Sequence, residues 1–208
     1  YENLLIAGNV IHNAFSFGTK KLLYFGSSCM FPKFCSQPMR EADLLGVFLE
    51  SSNEAYALAK LAGWKLAESY NAQYGTEFRT VIPANLYGPC DNFSERNSHV
   101  IPALLRKFHN AKENREPEVL VWGSGEAHRE FLYVEDLVDA CIFLDDFPSI
   151  VGPVNVGATR SISIQELTLL IREVVEYHGK IRFDPSKPDG APARKLDTSQ
   201  LDRLGWQA

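Results

Sequence analysis

The sequence predicts an α/β protein built on a parallel sheet, and three observations carry that prediction. Short continuous apolar runs alternate with segments of helical period, which is the signature of strands linked by crossover helices. The runs end in glycine-, serine- and proline-rich turns. Composition is that of a packed globular chain, with 45% hydrophobic and 23% charged residues. Its 208 residues suffice for one domain plus a small lobe.

In order, residues 1–17 place Leu4, Leu5, Ala7, Val10, Ile11 and Ala14 at helical spacing, with Gly18 as the residue that closes the helix. Lys20-Lys21 lead into Leu22-Leu23-Tyr24-Phe25, which reads as a strand covered on both faces, ending at Gly26-Ser27-Ser28. A loop with Pro32, Pro38 and Gly46 follows. Helical period returns over 52–74, with Ser52 or Asn53 as N-cap and Gly75 as stop. Residues 78–82 read as a second buried strand running into Pro83-Ala84-Asn85-Leu86-Tyr87-Gly88-Pro89.

After a polar loop at 90–98 come a helix over 100–111, a charged turn, and strands at 119–122 and 131–134. Glu135-Asp136 open a helix to Leu144. A strand at 154–156, a helix at 163–178, a strand at 181–183 and a short helix capped by Thr198 and closed near Gly205 complete the pattern. The expected division is 1–98 for a domain of Rossmann type and 99–208 mainly for a small α/β substrate lobe with interleaved sheet elements. A doubly wound dinucleotide fold opens on a strand and a glycine-rich turn. No G-x-G-x-x-G is present, so the chain reads as the middle and end of a larger enzyme whose glycine-rich half is absent.

Other features exclude classes of function. No apolar run of about 18 residues exists to span a membrane, and Tyr1-Glu2-Asn3 shows no secretory leader. A net charge of −5 and a pI near 5.6 argue against a general nucleic-acid binder. Cys29, Cys35, Cys90 and Cys141 lack disulfide or C-x-x-C spacing, so reduced thiols in a cytoplasmic protein are expected, with all but Cys29 buried and inert. No metal-ligand spacing occurs.

Tyr56 and Lys60 lie one turn apart on the helix 52–74, on one face. A phenol is a poor acid or base at neutral pH, and a neighbouring ammonium favours its ionised form. Ser27 or Ser28 sits at the carboxyl end of a strand, where open α/β sheets place ligands. Together these groups predict a site that handles a carbonyl oxygen.

Gly26-Ser27-Ser28-Cys29, Tyr56-x-x-x-Lys60 and Asn85-Leu86-Tyr87-Gly88-Pro89 resemble the extended short-chain dehydrogenase/reductase superfamily of nucleotide-sugar enzymes. Asp91-Asn92-Phe93, Asn97-Ser98-His99-Val100-Ile101-Pro102, Trp122-Gly123-Ser124-Gly125, Arg129-Glu130-Phe131-Leu132-Tyr133-Val134 and Lys187-Pro188-Asp189-Gly190 resemble one family within it, the GDP-L-fucose synthases. The resemblance covers essentially the whole chain.

It implies epimerisation at C3 and C5 of GDP-4-keto-6-deoxy-D-mannose, followed by NADPH-dependent reduction at C4. Cys29 and His99 would be the acid/base pair of the epimerisations. Tyr56 would protonate the C4 oxygen, Lys60 would acidify Tyr56 and hold the nicotinamide ribose, and Ser27, rather than Ser28, would bond the C4 oxygen. Phe25, Gly26, Ser27, Ser28, Lys60, Pro83, Ala84, Asn85, Leu86 and His99 would line the NADP(H) side, and Lys107, Trp122, Arg129 and Asp189 the GDP-sugar side. Helices 1–17 and 52–74 would form a homodimer interface.

Two enzymatic rivals fit less well. The related 4,6-dehydratases carry an Asp-Glu pair where Cys29-Met30 stands here, and a 4-epimerase would leave Cys29 and His99 without a task. A chain of this extent acting as an inactive or oligomerising fragment is the remaining expectation, with no reductase turnover on its own.

Overall fold

A computed structural model describes residues 1–208 apart from Val47, Arg96 and Val151. In chain order the elements are α1 (Glu2–Ser16), β1 (Lys21–Phe25), α2 (Glu54–Tyr74), β2 (Glu77–Pro83), β3 (Asn85–Tyr87), α3 (Val100–Glu113), β4 (Glu118–Trp122) and β5 (His128–Tyr133). They continue with α4 (Val134–Asp145), β6 (Pro153–Val156), β7 (Ser161–Ser163), α5 (Ile164–Val175), β8 (Lys180–Asp184), β9 (Ala193–Arg194) and α6 (Ser199–Leu204).

These form two compact units. The first comprises Tyr1–Leu86, Leu132–Thr159 and Lys195–Ala208, the second Tyr87–Phe131 and Arg160–Arg194. The sequence division falls at 98, whereas the chain leaves the first unit after Leu86 and returns to it twice. The physical reason is β6, whose Val154 and Val156 are fully buried and pair in parallel with Val81 and Pro83 of β2. A strand so apolar has to join the sheet of the first unit even though it comes late in the sequence.

The first unit carries a parallel sheet in the order β1-β2-β6. Its main core gathers Val81, Ile82, Val154 and Val156 from the sheet with Leu61 and Trp64 of α2 and Leu137, Ala140 and Leu144 of α4. A second cluster packs Ala7 and Ile11 of α1 on Tyr24, Ala67 and Phe78. Helix α2 ends as expected at Gly75, whose φ of +68° is the left-handed geometry that glycine adopts without strain. Gly18 likewise follows α1 at φ +76°.

Strand β1 departs from expectation. It is not covered on both faces: Leu22 and Leu23 are half-buried and Phe25 is exposed. It lies at the edge of its sheet, beside a groove of about 490 Å³ lined by Leu23, Phe25, Leu137, Val138, Cys141 and Ile142. Helix α1 buries only Ala7 and Ile11 fully, and leaves Leu4, Ile6 and Val10 exposed.

In the second unit, β4 and β8 pair in parallel. Helices α3 and α5 pack around them through Leu104, Phe108, Val119, Val121, Leu167 and Ile171. Residues 128–130 of β5 pair antiparallel with β7, and 128–129 in parallel with β9. Helix α5 begins in a reciprocal cap: Glu166 N–H donates to Ser163 Oγ at 3.0 Å, and Ser163 N–H to Glu166 Oε2 at 2.7 Å.

Several boundaries also move. The helix expected to reach His178 stops at Val175, where Glu176 turns left-handed at φ +58°. The strand expected over 131–134 starts earlier, at His128, and Val134 already belongs to α4. The three-residue strands β3 and β7 and the two-residue β9 are too short to show a period. Cys90, expected to be buried, is exposed.

Candidate active site

The carboxyl ends of β1 and β2 lie side by side because the strands are parallel and in register, with Phe25 opposite Val81. Gly26 continues the pairing by donating to the Val81 carbonyl at 2.8 Å. A Cβ at Gly26 would meet Met30 Sδ at 2.8 Å and Ile82 Cγ1 at 3.2 Å, so the missing side chain lets Met30 pack closely on the strand end. Ser27 then caps a short 3₁₀ turn, Ser28–Met30, in which Cys29 N–H donates to Ser27 Oγ at 3.2 Å. The turn fixes the hydroxyl and the thiol at neighbouring places on one strand end. Pro83, Ala84, Asn85 and Leu86 leave the adjacent end of β2, where Ala84 N–H bonds the Val156 carbonyl at 2.9 Å.

Helix α2 brings Tyr56 and Lys60 to the same place. Lys60 Nζ donates to the Phe25 carbonyl at 2.8 Å and lies 5.2 Å from the Tyr24 ring centroid and 5.8 Å from that of Tyr56. Burial pushes the Lys60 ammonium below its ordinary value. Burial likewise pushes the Tyr56 phenol up, and the neighbouring Cys29 adds to that, while a hydrogen bond with Ser27 pulls the other way.

The Lys60 ammonium is engaged by the Phe25 carbonyl. A phenol held above its ordinary value keeps its proton at neutral pH, which suits it to donate that proton.

Asn53 also belongs to this cluster, although the sequence pointed only to a helix cap. Its side chain makes no cap bond to the helix. Instead Nδ2 donates to Cys29 Sγ at 3.1 Å. A forgone cap costs roughly 0.5–2 kcal/mol. The N-cap position in the sequence was the only available signal, and it pointed to the wrong partner. Thus Ser27, Cys29, Asn53, Tyr56 and Lys60 are gathered within the first unit. Ser28 stands in the same 3₁₀ turn.

His99 belongs to the second unit, where it is exposed at the N-terminus of α3 and makes no side-chain cap bond. The candidates for substrate contact form a second cluster in that unit. Trp122 ends β4 and is 67% exposed, so its ring is available for stacking. Lys107 Nζ lies 5.9 Å from the ring centroid and Lys187 Nζ 5.6 Å, and Lys187 was not singled out from the sequence. Lys107 also donates to the Leu120 carbonyl at 2.8 Å, and burial first, then Arg106, pushes its ammonium down.

Asp189 is held from the loop that follows β4. Both its carboxylate oxygens are engaged by Ser124, one by the N–H at 2.7 Å and the other by the hydroxyl at 2.8 Å. It fastens the loop after Trp122. Arg129 donates to the Asp189 carbonyl at 3.1 Å and to the His128 carbonyl at 2.8 Å. Burial and then Arg194 push the Arg129 guanidinium down, while Asp189 opposes them.

A parallel α/β unit of Rossmann type, with a serine at a strand end and Tyr-x-x-x-Lys on the next helix, defines a nucleotide-dependent enzyme class. The sequence profile of the NAD dependent epimerase/dehydratase family matches residues 1–157, and the chain belongs to that family. It is 52% identical over 204 residues to GDP-L-fucose synthase 1 of Arabidopsis thaliana, covering 98% of this chain and 63% of that protein. The chain thus spans less than two thirds of that relative.

A GDP-6-OMe-4-keto-L-xylo-heptose reductase from C. jejuni superposes with a TM-score of 0.93 at 36% identity, over 100% of this chain and 71% of that one. A GDP-L-fucose synthetase from Naegleria fowleri bound to NADP gives 0.88 at 30% identity, over 98% and 65%.

Proposed function

We propose that the chain is part of a two-step epimerase-reductase that converts GDP-4-keto-6-deoxy-D-mannose to GDP-L-fucose with NADPH, in the cytoplasm. The observation that carries this reading is the joint presence of a thiol and a phenol at one site: Cys29 beside Ser27 at the end of β1, with Asn53, Tyr56 and Lys60 brought to it by α2. A ketone reductase needs the hydroxyl, phenol and ammonium; the thiol has work only where carbon-bound protons are moved. The names of the plant and amoebal relatives support the same product, and the NADP-bound amoebal structure supports the cofactor.

The residues present fit the nicotinamide half of that cofactor, since Lys60 and the hydroxyls of Ser27 and Ser28 at the carboxyl end of β1 are a donor set suited to a ribose. Phe25, Gly26, Ser27, Ser28, Lys60, Pro83, Ala84, Asn85 and Leu86 would hold it, and His99 is a further candidate. When bound, NADPH supplies the hydride. We assign nucleotide-sugar recognition to the second unit: Trp122 offers a stacking face, and Lys107 and Arg129 cations for the pyrophosphate.

The 4-keto group acidifies the protons on C3 and C5. Cys29 and His99 serve as the acid/base pair that removes each proton and returns one on the opposite face, with the electron pair held on the keto oxygen in between. Ser27 orients the C4 oxygen. Tyr56 then gives its proton to that oxygen as C4 is reduced, and Lys60 compensates the charge left on the phenolate.

Exposed Leu4, Ile6 and Val10 on α1 and Leu58 on α2 support a homodimer through these helices.

The test uses the complete polypeptide, with deuterium incorporation at C3 and C5 followed in heavy water alongside NADPH oxidation. Cys29→Ser and His99→Asn should suppress incorporation by about 10²-fold or more and spare reduction of a pre-epimerised substrate. Tyr56→Phe should do the reverse. Undiminished hydride transfer in Tyr56→Phe would remove the phenol from the mechanism.

A further inference from the structure

We infer that Asn53 is a positioning residue for Cys29: its amide N–H fixes the direction of the sulfur and compensates negative charge there. The inference rests on the reading that Cys29 moves carbon-bound protons, and it adds a group that this reading does not require.

The geometry singles out this contact. Asn53 stands at the N-cap of α2, where asparagine ordinarily accepts a backbone N–H of the first turn. Here that bond is absent, and Nδ2 reaches across 24 residues of sequence to Cys29 Sγ at 3.1 Å. The amide oxygen of Asn53 is buried with no partner among the described residues. The side chain thus forgoes a local bond and leaves an acceptor unmatched while keeping the sulfur contact. Satisfying the amide's own hydrogen-bonding needs would not select this arrangement.

On the other side, Ser27 already holds the Cys29 backbone N–H at 3.2 Å, so the direction of the side chain is the freedom that Asn53 removes.

The chemistry follows. An N–H donor binds a sulfur anion more strongly than a neutral thiol. When Cys29 acts as base, its thiolate takes the proton from carbon: the S–H bond forms as the C–H bond breaks, and the electron pair passes to the keto oxygen. The reverse step returns the proton to carbon. Asn53 favours the thiolate before transfer and keeps the sulfur aimed throughout.

The test reads the thiol directly. In the complete polypeptide, iodoacetamide modification of Cys29 is followed by peptide mass spectrometry across pH 6–9, with exposed Cys90 as internal reference. Asn53→Ser keeps a good helix cap but cannot reach the sulfur, and Asn53→Asp keeps the shape but loses the donor. Both should slow Cys29 modification at pH 7.5 by about tenfold, with the loss recovered at higher pH and Cys90 unchanged. Asn53→Asp should show the larger effect.

Cys29 profiles within twofold of the parent in both variants, at equal melting temperature, would overturn the inference. Should Asn53→Asp fail to fold, Asn53→Ser decides alone. Deuterium incorporation at C3 and C5 is measured in parallel. Its absence in the parent refutes the epimerase reading, and the modification profile still decides whether Asn53 acts on Cys29.

Discussion

Gly63 lies in the middle of α2, against Tyr24 of β1, and substituting it tests how the helix that carries Tyr56 and Lys60 is seated. A Cβ at Gly63 would overlap the Tyr24 hydroxyl and Cζ and come within 2.9 Å of Cε1, well inside ordinary contact. Tyr24 is 9% exposed and has little room to retreat. Overpacking of this kind costs about 1–3 kcal/mol. Alanine in place of glycine inside a helix returns about 1 kcal/mol.

Gly63→Ala is therefore expected to destabilise the protein by up to about 2 kcal/mol. The melting temperature should fall by up to about 8 °C. Urea denaturation measures the first quantity and calorimetry the second. Shortening the ring with Tyr24→Leu in the Gly63→Ala background should recover about 1 kcal/mol relative to additivity, since the two residues touch. A Gly63→Ala variant more stable than the parent by the full helix-propensity gain of about 1 kcal/mol, or additive behaviour in the double variant, would refute the claim that the ring of Tyr24 sets the approach of α2 to β1.

Two further outcomes are expected. Burial raises the Glu41 carboxyl above its ordinary 4.5, although Asn155 N–H bonds Oε1 at 2.9 Å. A raised folded value contributes stability below the unfolded value and loses it as pH rises through the folded one. Glu41→Gln, which keeps the acceptor without the charge, should thus be the more stable protein at pH 7 by urea denaturation, and the difference should close on acidification below 4.5. A variant less stable at pH 7 would mean that the ionised carboxylate is needed. Asp189→Ala frees the loop after Trp122 and should weaken GDP binding by about three- to tenfold in titration calorimetry, with little effect on melting because the bonds to Ser124 are exposed. Unchanged GDP affinity would separate this loop from nucleotide binding.

What the sequence determined on its own is what neighbouring residues settle among themselves. The apolar period of α2 and its stop at Gly75 are written within a few positions, and so is the one-turn spacing of Tyr56 and Lys60, because a helix brings residues i and i+4 together whatever surrounds it. The strand end that carries Ser27 and Cys29 was legible for the same reason.

Tertiary structure decided the rest. Local signals made Asn53 a helix cap, and only packing turned it to a sulfur 24 residues away. Ser124 bonds both carboxylate oxygens of Asp189, 65 residues later. Lys60 finds its acceptor in the Phe25 carbonyl, 35 residues earlier. In each case the deciding quantity is a desolvation or a hydrogen bond between distant segments. Such terms have no value until the chain has folded and fixed which groups lose water and which find each other.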